Sequence, residues 1–123
     1  MSHRFVWVDI PVEDLDRASA FYGAVLAASV TREGGPGFSF GLLAHTGNEV
    51  AGCLVVAGAD NAPSLRGPLV YLNVDGRIAA AERAVVAKGG RVLQPTHAIG
   101  PHGFRALVVD SEGNRVALHS STA

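Results

Sequence analysis

The sequence predicts an α+β fold made of two βαβββ modules, residues 3–57 and 68–120, joined by a polar connector. Three observations carry this. Residues 6–22, VWVDIPVEDLDRASAFY, read as a strand, a tight turn and an amphipathic helix. Residues 69–90 repeat that order. Lastly, Gly47-Asn48-Glu49-Val50-Ala51 lines up with Gly113-Asn114-Arg115-Val116-Ala117 at an offset of 66, and Val8 with Val70 and Val12 with Val74 at an offset of 62. Each module then pairs a sheet with one helix on its outer face, and the free inner faces curl toward one another around a cleft.

Along the first strand, the two-residue period puts Phe5, Trp7 and Asp9 on one face and Val6, Val8 and Ile10 on the other. Pro11 ends the ladder because it has no N–H to donate. Asp14 is placed to cap the helix, whose apolar stripe is Leu15, Ala18, Phe21, Tyr22, Val25 and Leu26, with Phe21 and Leu26 expected in the core. Residues 34–37, GGPG, read as a loop; they lack the lysine and the strand–helix context of a phosphate loop. Strands follow over 38–45 and 49–56, joined at Thr46-Gly47-Asn48, and then the connector over 58–67. Residues 69–74 repeat the first strand. Asp75 is the expected cap of the second helix, Ile78, Ala81, Val85 and Val86 its stripe, and Lys88-Gly89-Gly90 its stop. Strands over 91–94, 104–110 and 115–119 complete the second module.

A chain of 123 residues, 48% hydrophobic and 17% charged, supports one globular domain rather than disorder. A net charge of -1 gives no broad basic footprint for nucleic acid or an anionic membrane, so neither is an expected partner. The N-terminal stretch MSHRFVWV has no signal-like apolar core, and no apolar run reaches membrane length. Cys53, the one cysteine, makes neither an internal disulfide nor a metal motif. The expected setting is cytoplasmic.

Asp14-Leu15-Asp16-Arg17-Ala18 with Phe21-Tyr22, and Asp110-Ser111-Glu112-Gly113-Asn114-Arg115, resemble the signatures of the vicinal oxygen chelate superfamily, which includes glyoxalase I, bleomycin-resistance proteins and extradiol dioxygenases. The resemblance spans nearly the whole chain and is strongest to a glyoxalase-like group that reads much like WVDIPVEDLDRA, LVYLNVD and EGNRVALHS. It implies a cupped eight-stranded mixed sheet with helices on the outside, a small-molecule pocket in the cup, and commonly a homodimer. The need to cover open sheet edges adds to the dimer expectation.

The resemblance also implies metal-ligand positions on the first and last strands of both modules. They fall on Trp7, seven residues before Asp14, on Leu69 in the second module, on Ala117, seven residues after Asp110, and through the internal repeat on Ala51. None of these side chains offers a lone pair to a divalent cation. No metal and no other cofactor is therefore expected, and the usual warrant for glyoxalase or dioxygenase chemistry is removed while the pocket stays.

The pocket-facing set read from strand alternation is Phe5, Trp7, Asp9, Ala51 and Cys53, then Leu69, Tyr71, Asn73, Arg115, Ala117 and His119. From it, Trp7, Asp9, Leu69, Tyr71, Asn73, Ala117 and His119 are the candidate ligand contacts, with Asp9 as a candidate general base and His119 as a candidate acid or base. The plainer reading has Asp9 bonding nearby backbone and His119 in solvent. His97 and His102 flank Gly100-Pro101 and read either as a cover over the pocket mouth or as a solvated hairpin tip. His3 and His45 read as surface residues and Cys53 as a small buried hydrophobe. Three functions stay open: a metal-free protein binding a small aromatic molecule; an isomerase, epimerase or lyase using Asp9 and His119, with or without a displaced metal; and a dimerising domain whose cup is filled by its own side chains.

Overall fold

Strand β1 (Trp7–Val12) turns Ile10 and Val12 into the interior and leaves Trp7 and Asp9 on the opposite face, as the alternation requires. The computed structural model describes residues 3–47 and 49–123. Asn48, part of the expected turn at 46–48, lies outside the described residues. After β1, Asp14 adopts an extended backbone and its carboxylate accepts from Arg17 N at 3.0 Å, which starts α1 (Leu15–Leu26). Leu15, Ala18, Phe21, Tyr22 and Val25 are buried. Leu26 is only half-buried: it closes the helix, packs against the edge of the core and borders a cavity.

β2 (Thr31–Gly35), β3 (Phe38–Leu42) and β4 (Ala51–Val56) complete a first sheet of order β1-β4-β3-β2. β5 (Val70–Asn73), α2 (Ile78–Ala87), β6 (Arg91–Ala98), β7 (Phe104–Val109) and β8 (Arg115–Ser120) give a second of order β5-β8-β7-β6. In both sheets the first and last strands of the module run parallel and the other pairs antiparallel. This is the α+β arrangement of two βαβββ modules, its eight strands divided between two four-stranded sheets. No helix among the described residues is long and apolar enough to cross a membrane.

Five local expectations need correction. Pro11 does not end the first ladder: β1 runs on to Val12, with Pro11 paired to Val55 and Val12 to Val56. The second strand of the first module runs into the glycine segment, since Gly34 and Gly35 pair with Ser39 and Phe38; β2 is exposed throughout, so it carries no apolar alternation to announce it. Asp75 does not cap α2. Arg77 stands at that position without a side-chain cap, while the Asp75 carboxylate accepts from Ser121 N and Oγ at 2.5 and 2.6 Å and so ties down the end of β8. Val86 is 62% exposed, and the buried stripe of α2 is Ile78, Ala81 and Val85. Finally, β6 continues to Ala98 through register irregularities on either side of Gln94, which accommodate Pro95 in an edge strand.

α1 packs on α2, and one core takes side chains from both helices and both sheets. Gly90 permits close contact at this junction: a Cβ there would lie 2.8 Å from the Phe21 ring and 2.4 Å from Val109 O. The two most specific sequence motifs meet here. Tyr22 donates its buried hydroxyl to Asp110 at 2.5 Å, and Asn114 Nδ2 donates to Pro11 O at 2.8 Å. Burial, then the Asp110 carboxylate, hold the Tyr22 hydroxyl protonated well above its usual range. The motifs clamp module to module, and both sheets keep the face opposite the helices open.

Candidate functional site

The open face of the second sheet is set by β5, β7 and β8. Tyr71 and Ala117 are register partners, as are Asn73 and His119, and Arg105 pairs with His119 across β7 and β8. The connection from β6 to β7 folds over this face through a short turn, Gly100–His102. Gly103 makes that approach possible. Its φ is 95°, and a Cβ would stand 2.6 Å from Ser120 O and 3.4 Å from His119 Nε2. Beneath the turn lies an open cavity of about 530 Å³, lined by Tyr71, Ile99, His102, Arg105 and His119.

The polar groups here are fixed by one another. His119 Nε2 lies 2.6 Å from the carbonyl of His102, so that nitrogen carries the proton. The Tyr71 and His119 rings meet edge to face with centroids 6.3 Å apart. Arg105 donates from Nη1 to the Tyr71 hydroxyl at 2.8 Å, and from Nε and Nη2 to His97 Nε2 at 3.3 and 3.2 Å. His97 Nδ1 is 2.8 Å from Pro95 O and donates to it, which leaves Nε2 with the lone pair that Arg105 uses. His102 lines the cavity while staying exposed, and His97 reaches it only through Arg105.

Trp7 and Asp9 stand elsewhere. The Trp7 indole donates to Asp9 Oδ1 at 2.9 Å, and the Cys53 thiol approaches the same oxygen at 3.3 Å. Burial, then the Asp9 carboxylate, push the Cys53 thiol up. This cluster lies on the first sheet, and among the described residues no hydrogen bond joins Asp9 to His119. A second cavity of about 430 Å³ opens between the modules, with Val8, Ile10, Leu43, His45, Tyr71 and Asn73 among its walls. Asn73 turns its amide oxygen to Asp75 N at 2.9 Å. Leu69 precedes β5 and is half-buried.

Residues 4–26 match the family described as bleomycin resistance protein-like N-terminal. No curated protein matches the chain. A glyoxalase-related enzyme from Fulvimarina pelagi is similar in structure, at 18% identity over 97% of this chain and 88% of that one, with a TM-score of 0.67. A glyoxalase/bleomycin resistance protein from Albidiferax ferrireducens T118 is similar at 19% identity over 96% and 98%, with a TM-score of 0.69. The fold is the one shared by these glyoxalase and bleomycin resistance structures. A glyoxalase I mutant from Zea mays also matches, at 18% identity and a TM-score of 0.69; this chain spans 46% of it, about the length of half that enzyme. At such identities the likeness establishes a glyoxalase-like fold and not a reaction.

The metal positions implied by the sequence resemblance hold no suitable donor set. Trp7 and Ala51 are register partners on β1 and β4, which supports pairing those two positions. Ala117 pairs with Tyr71, two residues beyond Leu69, so the sheet register and the internal repeat differ in the second module. With either residue the set does not fit a cation: an indole N–H, aliphatic groups, and at best a phenol already engaged by Arg105. Among the described residues no three His, Cys, Asp or Glu side chains converge. Sequence reasoning missed Arg105 and Ile99. A signal for Arg105 was available, since in FRALVV the buried Ala106 and Val108 put it on the face of His119.

Proposed function

We propose that this protein binds a small aromatic or conjugated molecule, without a metal, on the open face of its second sheet. The observation that carries this reading is the cavity of about 530 Å³ under the 100–102 turn, where the Tyr71 ring, Ile99, His102, Arg105 and His119 combine an apolar wall with a few fixed polar groups. Of the candidate contacts, Tyr71 and His119 line it, and Ala117 lies beside Tyr71 in register. What favours binding over acid–base chemistry is the separation of Asp9 and His119. Each is held by its own partners on a different sheet, and neither forms a nucleophile–base or acid–base pair with the other.

The test is a titration of the full chain with the uncharged probe naphthamide, followed by backbone amide NMR. Shifts centred on Tyr71, Ile99 and His119, with affinity lost in Tyr71→Ala, are the expected result. Shifts confined to Trp7, Asp9 and Cys53 would move the site to the first sheet and overturn the reading. We also propose a homodimer through the open face of the first sheet, where Phe5, Trp7 and Phe38 are 79%, 46% and 63% exposed.

A further inference from the structure

We infer that the cavity on the second sheet selects a ligand carrying a carboxylate, which the Arg105 guanidinium anchors with help from the Tyr71 hydroxyl; this rests on the binding reading above and names the ligand class. Arg105 is half-buried in the wall of the cavity. Its partners are neutral, a phenol and a histidine lone pair, and the ion pairs among the described residues are Arg17–Glu112 and Arg32–Asp16. A cation drawn partly out of water without an opposite charge is costly, and an anionic ligand supplies that charge.

Donor geometry specifies the kind of anion. A guanidinium carries five N–H donors. Nε and one donor of Nη2 face His97 Nε2, and one donor of Nη1 faces Tyr71, which leaves one N–H on each terminal nitrogen. Two donors on one planar group match the two oxygens of a carboxylate. Tyr71 accepts from Arg105 through its oxygen, so its own hydroxyl proton is free to donate to the same anion. His97 is neutral at Nε2 and, held by Pro95 O, fixes the guanidinium plane without competing for the ligand. The remaining wall, the Tyr71 ring and Ile99, takes the apolar body of the ligand.

The experiment compares naphthoate with naphthamide, two probes of one shape that differ in charge, against the full-length chain by calorimetry. Wild type is expected to bind naphthoate about tenfold or more tightly than naphthamide, as for a charge-assisted bidentate contact. Arg105→Gln should abolish that preference and leave naphthamide binding in place, while Arg105→Lys should keep a reduced, salt-sensitive preference. If Arg105→Gln does not fold by circular dichroism, the Arg105→Lys comparison and the salt dependence of wild type decide instead. Equal affinities for the two probes in wild type, or a naphthoate preference that survives Arg105→Gln, overturn the anion anchor and leave the pocket intact. Failure of both probes to bind overturns the pocket reading and this inference together.

Discussion

Arg17 in the first module and Glu112 in the second form a two-pronged ion pair, Nε to Oε2 at 2.7 Å and Nη2 to Oε1 at 2.9 Å. Glu112 also accepts the backbone N–H groups of Glu13 and Asp14 at 2.9 and 2.8 Å, donors that the start of α1 would otherwise leave open. One helix is therefore capped by its own Asp14 and, from the other module, by a fully buried carboxylate whose charge suits the helix N-terminus. Residues that look like a superfamily signature in sequence serve here to join the modules.

That contact makes stability depend on pH in a defined window. Burial raises the Glu112 pKa, but the Arg17 hydrogen bonds, with Asp14 N, Ser111 and Glu13 N, outweigh it and hold the carboxyl at about 2 against an ordinary 4.5. The folded value lies below the unfolded one, so the stabilisation is complete above the unfolded pKa and is lost as pH falls through the window from 4.5 to about 2. Because the Arg17 side of the contact is half exposed and screened by solvent, it amounts to about 1–2 kcal/mol at neutral pH. Urea midpoints measured from neutral to acid pH should fall steeply in wild type. Glu112→Gln should start lower at neutral pH and fall less, and an equally steep fall in that variant would show that other carboxylates set the acid limb.

Within α1 the cost of truncation should follow burial and not the stripe as written. Phe21 is fully buried at the junction of both modules, beside Gly90. Phe21→Ala should cost roughly 3–5 kcal/mol, while Leu26→Ala, half-buried at a cavity, should cost less than about 2 kcal/mol. Chemical denaturation of the two variants checks this, and equal costs would contradict the placement of Leu26.

The parts of the fold legible in sequence were those written by burial. Leu15, Ala18, Phe21, Tyr22 and Val25 announce α1 because one face meets a core, and the alternation at Ile10 and Val12 does the same for β1. β2 was not legible because an exposed edge strand of TREGG buries nothing. The site was harder still. Trp7 and Tyr71 look equivalent by strand pattern, yet only Tyr71 receives an arginine and a covering turn. That turn depends on the length of the β6–β7 connection and on a glycine at 103, neither of which has a period to read. The module register was also out of reach, since the turn motifs and the helix-flanking strands repeat at different offsets, 66 and 62.

For the proposed dimer, light scattering at micromolar concentration should give about twice 12.7 kDa. Among the described residues no helix covers the open face of the first sheet, and edge strand β2 is exposed along its length, so a second copy would cover both. Phe38→Lys places a charge on that face and should shift the population toward a single chain. A wild-type mass of one chain would refute the proposal, and a dimer indifferent to Phe38→Lys would place its interface elsewhere.

The last prediction concerns divalent cations, for which we expect no tight, stoichiometric uptake at the positions the sequence resemblance implies. A zinc or magnesium ion needs several nitrogen or oxygen donors within roughly 2.0–2.2 Å. Trp7 offers only an N–H, already given to Asp9, and Ala51, Leu69 and Ala117 offer nothing, so an ion there would lose hydration without replacement. A displaced site needs Asp9 and His119 together. Asp9 Oδ1 instead receives Trp7 and Cys53, whereas His119 Nε2 is committed to His102 O in the turn over the other sheet. His97 Nε2 accepts from Arg105, whose charge would repel a cation from the same cavity. Calorimetry and elemental analysis of tag-free protein with nickel, zinc, manganese and iron(II) provide the check. Tight uptake that an Asp9→Ala/His119→Ala double variant abolishes would bring those two residues together in a way this arrangement does not, and would return the acid–base reading to first place. Tight uptake that survives the double variant would mean that the donors lie outside the positions considered.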